Sequence, residues 1–229
     1  MATFSRIFSE WVLILQEQLT EITAFPSLPD VQQYMPPHFR RYPNTRIIIP
    51  DTTEVPIQKP SSLTAQRRTF SQYKSANTMK CLVGATPDCY ISFVSPLYGG
   101  GTSDRAIVQQ CNLLDLMEPG DGVMADKGFK VEDMLPRDVI LHMPPFRIPG
   151  EAQMSAKDVE STKHVASARV HIERVIRRIK EFHISDKPIP INMLHIANAI
   201  FTTCALLSNF RRPLINDDKN VEAKFQCPP

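Results

Sequence analysis

A mixed β-sheet with helices on its faces is the fold class that the sequence predicts, and three observations carry it. Three leading strands joined by hairpins are followed by alternating β and α units. Proline is spread through the chain, 20 of 229 residues, while glycine numbers 8, so long uninterrupted helices are scarce and connections are stiff. Apolar residues make up 42 % and charged residues 22 %, which fills a core and excludes wholesale disorder. The length allows one large domain, or one medium domain with a flank.

The elements follow in order. Phe4, Ile7, Phe8, Trp11, Ile14, Leu15 and Leu19 recur at helical spacing and predict a helix over 4–22. Residues 23–44 hold five prolines and read as a connector. Residues 46–55 read as one β-branched strand with an acid in its middle. A Pro-rich, basic stretch fills 56–76. Two apolar runs, 79–85 and 90–95, flank Thr86-Pro87-Asp88-Cys89 and predict a hairpin. Gly99-Gly100-Gly101 turns into a helix over 104–117, which Ser103 or Asp104 can cap. Strands follow at 122–126 and 139–143, with a helical turn at 131–135 between them. Ser155-x-x-Asp158 resembles a capping box and opens a long helix to about Phe182. A last helix, about 191–209, is apolar on most sides and should be buried.

The formal charge of +2 hides a segregation. From Val55 to Pro87 there is no acid, and Lys59, Arg67, Arg68, Lys74 and Lys80 give +5. From Lys163 to Lys180 six bases face the single acid Glu173, again +5. Two basic blocks on an acidic remainder read either as phosphate-facing surfaces or as ordinary solvated faces. The five cysteines are odd in number and widely spaced, with no Cys-x-x-Cys pair, and read as free thiols. No run approaches the roughly 20 apolar residues of a membrane span, and no secretory signal is visible, so no membrane partner and an intracellular protein are expected.

Three acids stand in unusual places: Asp51 in an apolar strand, Asp126 at the end of another, and Glu173 within a basic helix. Carboxylates near a core are costly unless paired or bound to a metal. Strand ends are where open α/β sheets bind ligands. Hard divalent cations take oxygen ligands, and two of them can promote phosphodiester cleavage. Structural roles are the alternative: a turn for Asp126, pairing with Arg169 and Arg177 for Glu173, a strand edge for Asp51.

A set of ordered motifs then resembles a known family. It comprises Asp51-Thr-Thr-Glu54-Val55, Gln58-Lys59-Pro60, Phe70-Ser71-x-Tyr73-Lys74-x-x-Asn77-Thr78-x-Lys80, Tyr98-Gly99-Gly100-x-x-Ser103-Asp104, Met124-Ala125-Asp126-Lys127-Gly128-Phe129, Pro144-Pro145-Phe146 and Arg169-Val170-His171-Ile172-Glu173-Arg174. In this order the chain resembles the DDE-superfamily endonuclease domain of PIF/Harbinger-type transposases from about Phe4 to Leu214. The resemblance implies an RNase H-like fold, in the order βββαβαβαα. It implies a catalytic, metal-binding triad of Asp51, Asp126 and Glu173, separated by 75 and 47 residues. It further implies two Mg²⁺ or Mn²⁺ ions and hydrolysis or transfer of DNA phosphodiester bonds. Asp104 matches a further acid and is held as a neighbour of the site, with helix capping as its other role. Lys127, Arg169, Arg177 and His171 are candidate DNA-phosphate contacts.

The same resemblance divides the chain into an N-terminal helix and Pro-rich connector over 1–44, an endonuclease domain over 45–214 and a tail over 215–229. The first segment would be the remnant of an upstream helical region. DNA is the implied substrate, a Myb-like DNA-binding protein the implied partner, and the nucleus the implied location, with the cytoplasm as an alternative. One feature departs from the pattern: Pro50 precedes Asp51 where the family runs an unbroken aliphatic stretch, so one residue is inserted. An odd insertion flips a strand's facing unless a bulge absorbs it. The alternative function is therefore a decayed, domesticated domain that binds DNA or a protein without cutting.

Overall fold

The computed structural model describes residues 2–49, 52–125, 129, 131–143, 170, 172–185 and 187–215. It is a mixed α/β fold whose central mixed sheet is flanked by helices, the class expected and one compatible with an RNase H-like fold.

Helix α1 (Ala2–Ile22) comes first. The connector that follows is less plain than its prolines suggest. It holds α2 (Leu28–Gln33), opened by a capping box between Ser27 and Asp30 with proline in the first turn, where a missing N–H costs nothing. The strands are β1 (Thr45–Ile49), β2 (Thr52–Pro56), β3 (Phe70–Ser71), β4 (Ala76–Ala85), β5 (Ile91–Val94), β6 (Tyr98–Gly99), β7 (Gly122–Ala125) and β8 (Ile140–His142). Helix α3 (Leu63–Thr69) lies in the Pro-rich, basic stretch, for which the sequence predicts no element. Helix α4 (Asp104–Gln110) is shorter than predicted, because Asn112 takes a left-handed φ of 58° and ends the run. Helix α5 is described over 172–180; its expected start at Ser155 lies outside the described residues. Helix α6 (Ala197–Leu207) follows a 3₁₀ turn over Ile191–Ile196.

Strands β1, β7 and β8 run parallel, with Ile47, Ile48 and Ile49 opposite Val123, Met124 and Ala125. Every residue of β1 and β7 is buried, which explains the aliphatic runs Ile47-Ile48-Ile49 and Val123-Met124-Ala125. The long β4 runs antiparallel to β1, β2, β5 and β6. One apolar cluster lies beneath the face that carries Ile48, Val83 and Met124. It contains Val12 and Leu19 of α1, Ile172, Val175 and Ile179 of α5, and most of α6. The other cluster joins Ile47, Ile49, Leu82 and Val123 to Ile107 and Val108 of α4. Each of these aliphatic side chains contributes about 1.5–3 kcal/mol on burial.

Two expectations need correction. The stretch Ile191–Phe210 is in fact long and apolar enough to cross a bilayer by composition, but 61 % of it is buried inside the protein, where α6 packs on α1. The single strand expected over 46–55 is two strands that share one neighbour. Ile48 faces Ala85 and Thr52 faces Leu82, so four residue steps on one side oppose three on β4. One extra residue therefore lies between Ile48 and Thr52, the count of a β-bulge. The facing flips as it must: Ile48 belongs to the α5–α6 cluster, and beyond the extra residue it is Val55, of opposite parity, that does so.

Candidate nuclease site

The parallel pairing sets where the strand ends that precede two of the acids lie. Ile49 and Ala125 are the last residues of β1 and β7 and are direct partners. Asp126 follows Ala125 at once, and Asp51 follows Ile49 by two residues. Both acids lie outside the described residues, as do Lys127, Arg169 and His171. The frame that leads to the two aspartates is nevertheless firm, since Ile49 and Ala125 are 2 % and 3 % exposed.

Glu173 is described. It stands on the exposed side of α5, whose opposite side plants Ile172, Val175 and Ile179 in the core. Ile172, its immediate neighbour, shares an apolar cluster with Ile48 and Met124, the penultimate residues of β1 and β7. The helix is thus anchored on the strand pair that carries the other two acids. Arg177, expected to accompany Glu173, reaches Glu181 at 3.8 Å instead, and Arg211 meets the same Glu181 at 2.8 Å.

Asp104 occupies the first position of α4. The cap is Ser103, whose Oγ accepts from the Ala106 amide at 3.2 Å, so capping does not use the Asp104 carboxylate. Its Oδ1 accepts instead from Thr52 Oγ1 at 2.6 Å and from Lys80 Nζ at 3.3 Å. Thr52 is the residue after Asp51. The contact therefore ties the start of β2 to α4 across the sheet face.

In the sequence Thr52 stands in a motif without a role, and Lys80 reads only as one charge of the 55–87 basic block. A cation in the apolar run of β4 was the available signal. Lys180 likewise reads from sequence only as one charge of the 163–180 basic block. Partial desolvation pushes its ammonium pKa down although the residue is exposed at the surface, the Lys74 charge adds to this, and Glu54 opposes it. Burial likewise lowers the Arg178 guanidinium, with Arg211 close by. Positive charge is thus crowded along the outer side of α5.

Among the described residues no group of three or more His, Cys, Asp or Glu side chains could hold a metal ion. Among the described cysteines, burial lifts the Cys81 thiol to about 12 and that of Cys204 to about 11, so neither supplies a thiolate ligand near neutrality. What the strand ends and α5 offer is oxygen donors.

Residues 50–209, more than half of the chain, match the family model described as DDE superfamily endonuclease. Neither the curated proteins nor the solved structures give a match. The matched span begins just before Asp51 and takes in Asp126 and Glu173. The chain belongs to the DDE superfamily endonucleases, a transposase-type nuclease family whose substrate is DNA.

Proposed function

We propose that this chain is the catalytic domain of a PIF/Harbinger-type, transposase-derived DNA endonuclease, with Asp51, Asp126 and Glu173 as its triad. The observation that supports it most is the pairing of Ile49 with Ala125, which brings two acid-bearing strand ends together at one edge. The donor set fits hard divalent cations, because all three side chains are carboxylates. The three would hold two Mg²⁺ or Mn²⁺ ions, which when bound activate a water or a DNA 3′-hydroxyl and stabilise the leaving oxygen.

The chain's own residues do the rest. Lys80 and Thr52 fix the Asp104 carboxylate beside the start of β2. Arg174, Arg177 and Lys180, exposed on α5, meet the phosphates that flank the cut, with Lys127, Arg169 and His171 as further contacts. Residues 45–214 form the nuclease domain in this reading, preceded by the helix and connector of 1–44 and followed by the tail of 215–229. A Myb-like partner supplies sequence recognition, and the site of action is the nucleus.

A second reading has one specific observation in its favour. The extra residue between Ile48 and Thr52 falls where the first aspartate is delivered. A domain so altered would keep its DNA affinity and lose cleavage. A plasmid-nicking assay with Mg²⁺ or Mn²⁺ separates the two, using wild type, Asp126→Ala and a Pro50 deletion. Nicking that vanishes in Asp126→Ala supports the nuclease. A silent wild type beside a cutting deletion variant means that the insertion has misplaced the first acid. Silence from all three, with salt-sensitive DNA binding intact, establishes the binding-only reading.

A further inference from the structure

The chain between β2 and β4 carries more than positive charge. Helix α3 has no buried residue and carries Arg67 and Arg68 in its last turn. Beyond it, β3 and β4 form a short hairpin in which Phe70 faces Asn77 and Ser71 faces Ala76. Its tip is the four-residue turn 72–75, closed by Ser75 at a left-handed φ of 50°. Tyr73 stands on this tip with 85 % of its surface exposed, and the Lys74 ammonium lies 4.7 Å from its ring centre.

The turn is held at several points. Ser71 Oγ donates to Glu54 Oε1 at 2.9 Å and accepts from the Lys74 amide at 3.2 Å. Thr78 Oγ1 donates to the other oxygen of Glu54 at 2.8 Å. Asn77 Nδ2 donates to Gln66 O and Thr69 Oγ1, and the Gly101 amide donates to Arg68 O at 3.1 Å. Glu54 lies on β2, three residues after Asp51 in sequence. An exposed tyrosine on a pinned turn loses little freedom when it meets a ligand.

The tip lies beside the strand that follows the first acid, because Ser71 and Thr78 hold the Glu54 carboxylate of β2.

We propose that the β3–β4 turn reads DNA beside the cut: Tyr73 stacks on an unpaired base near the scissile phosphate, while Lys74 and Arg68 hold the adjoining backbone. A single ring on a convex tip meets a base face only where that base has left the duplex stack. The acid-free charge of the segment matches a phosphate strand and disfavours a basic or apolar partner. This assignment rests on the nuclease reading for its DNA and for the position of the cut.

The test measures binding by anisotropy in EDTA, where no cleavage occurs, with the full chain and three probes: a matched duplex, the same duplex with a three-nucleotide gap, and a single strand. Tyr73→Ala should weaken the gapped and single-stranded probes about tenfold or more and the matched duplex less than twofold, with Tyr73→Phe regaining the affinity. Arg67→Ala/Arg68→Ala should weaken all probes and lower the salt slope by about one for each phosphate left without its cation. Equal weakening on all probes with Tyr73→Ala, or none on any, overturns the stacking role while leaving the nuclease intact. Base-selective binding by a chain that never nicks plasmid supports the turn and overturns the nuclease. A wild type that binds no probe overturns both, and preferential capture of an acidic peptide or anionic vesicles over DNA overturns the DNA assignment.

Discussion

At the end where β1 and β7 begin, Arg46 meets Asp121 at 2.6 Å, with side chains only 5 % and 3 % exposed. Just past the end where β1 finishes, Lys80 meets Asp104 at 3.3 Å, with side chains 15 % and 40 % exposed. The first pair is saturated: Arg46 also donates to Pro26 O at 2.7 Å and lies over the Phe25 ring, and Asp121 accepts from the Glu118 amide. The second leaves its carboxylate within reach of solvent. One cation–aspartate chemistry thus locks one end of a strand pair and leaves the other end available to a ligand. Asp51 and Asp126, two acids of the proposed triad, follow the open end in sequence.

Breaking the locked end should have the largest effect. Arg46→Met strands the buried Asp121 charge and should cost about 3–5 kcal/mol in denaturant-unfolding stability. The double variant Arg46→Met/Asp121→Leu should recover most of that loss, because a well-packed apolar pair can replace a buried ionic one. No recovery would mean that the guanidinium's contacts to Pro26 and Phe25, rather than the pair, hold this end.

The approach to the open end is built of backbone, and Gly100 probes it. A methyl group there would stand inside contact distance of Thr78 Oγ1, 2.6 Å from Thr69 O and 2.9 Å from Thr78 O. Gly100→Ala should therefore cost about 1–3 kcal/mol and shift the loop that delivers Asp104. Plasmid nicking should fall by more than the loss of folded protein explains. A variant as stable and as active as wild type would show that this loop does not position the site.

Asp104→Asn sharpens the contrast from the other side. The pair is half open to water, so the stability change should stay within about 1 kcal/mol. Nicking, by contrast, should drop, since the start of β2 loses the charge that ties it to Lys80. A stability loss as large as that of Arg46→Met would erase the distinction between the two ends.

Much of this frame could be read from residues. The aliphatic runs Ile47-Ile48-Ile49 and Val123-Met124-Ala125 announce buried parallel strands, and α5's stripe of Ile172, Ile176 and Ile179 announces its packing side. What could not be read is set by partners distant in sequence. The split of strand 46–55 depends on a count against β4, and no local propensity contains that count. Asp104 looks like a cap because it stands beside Ser103; only the fold brings Thr52 and Lys80 to it. Helix α3 escaped because none of its residues is buried and it leaves no apolar period.

A third position on the strand array, His142 on β8, has neither the cation of the locked end nor the solvent of the open one. Its Nε2 is buried without a hydrogen-bond partner among the described residues, and its ring lies 4.8 Å from that of Tyr42. Burial lowers its pKa below the ordinary 6.5, so the unfolded chain takes up the proton more readily than the folded one. The stability contributed by neutral His142 is intact above that value and is lost as pH falls through it toward the lower folded pKa. Unfolding midpoints at pH 7.5 and 5.5 should therefore decline in wild type by more than in His142→Phe, which keeps a ring against Tyr42 and binds no proton. Parallel declines would assign the acid sensitivity to other groups and leave His142 a packed ring with no titration of its own.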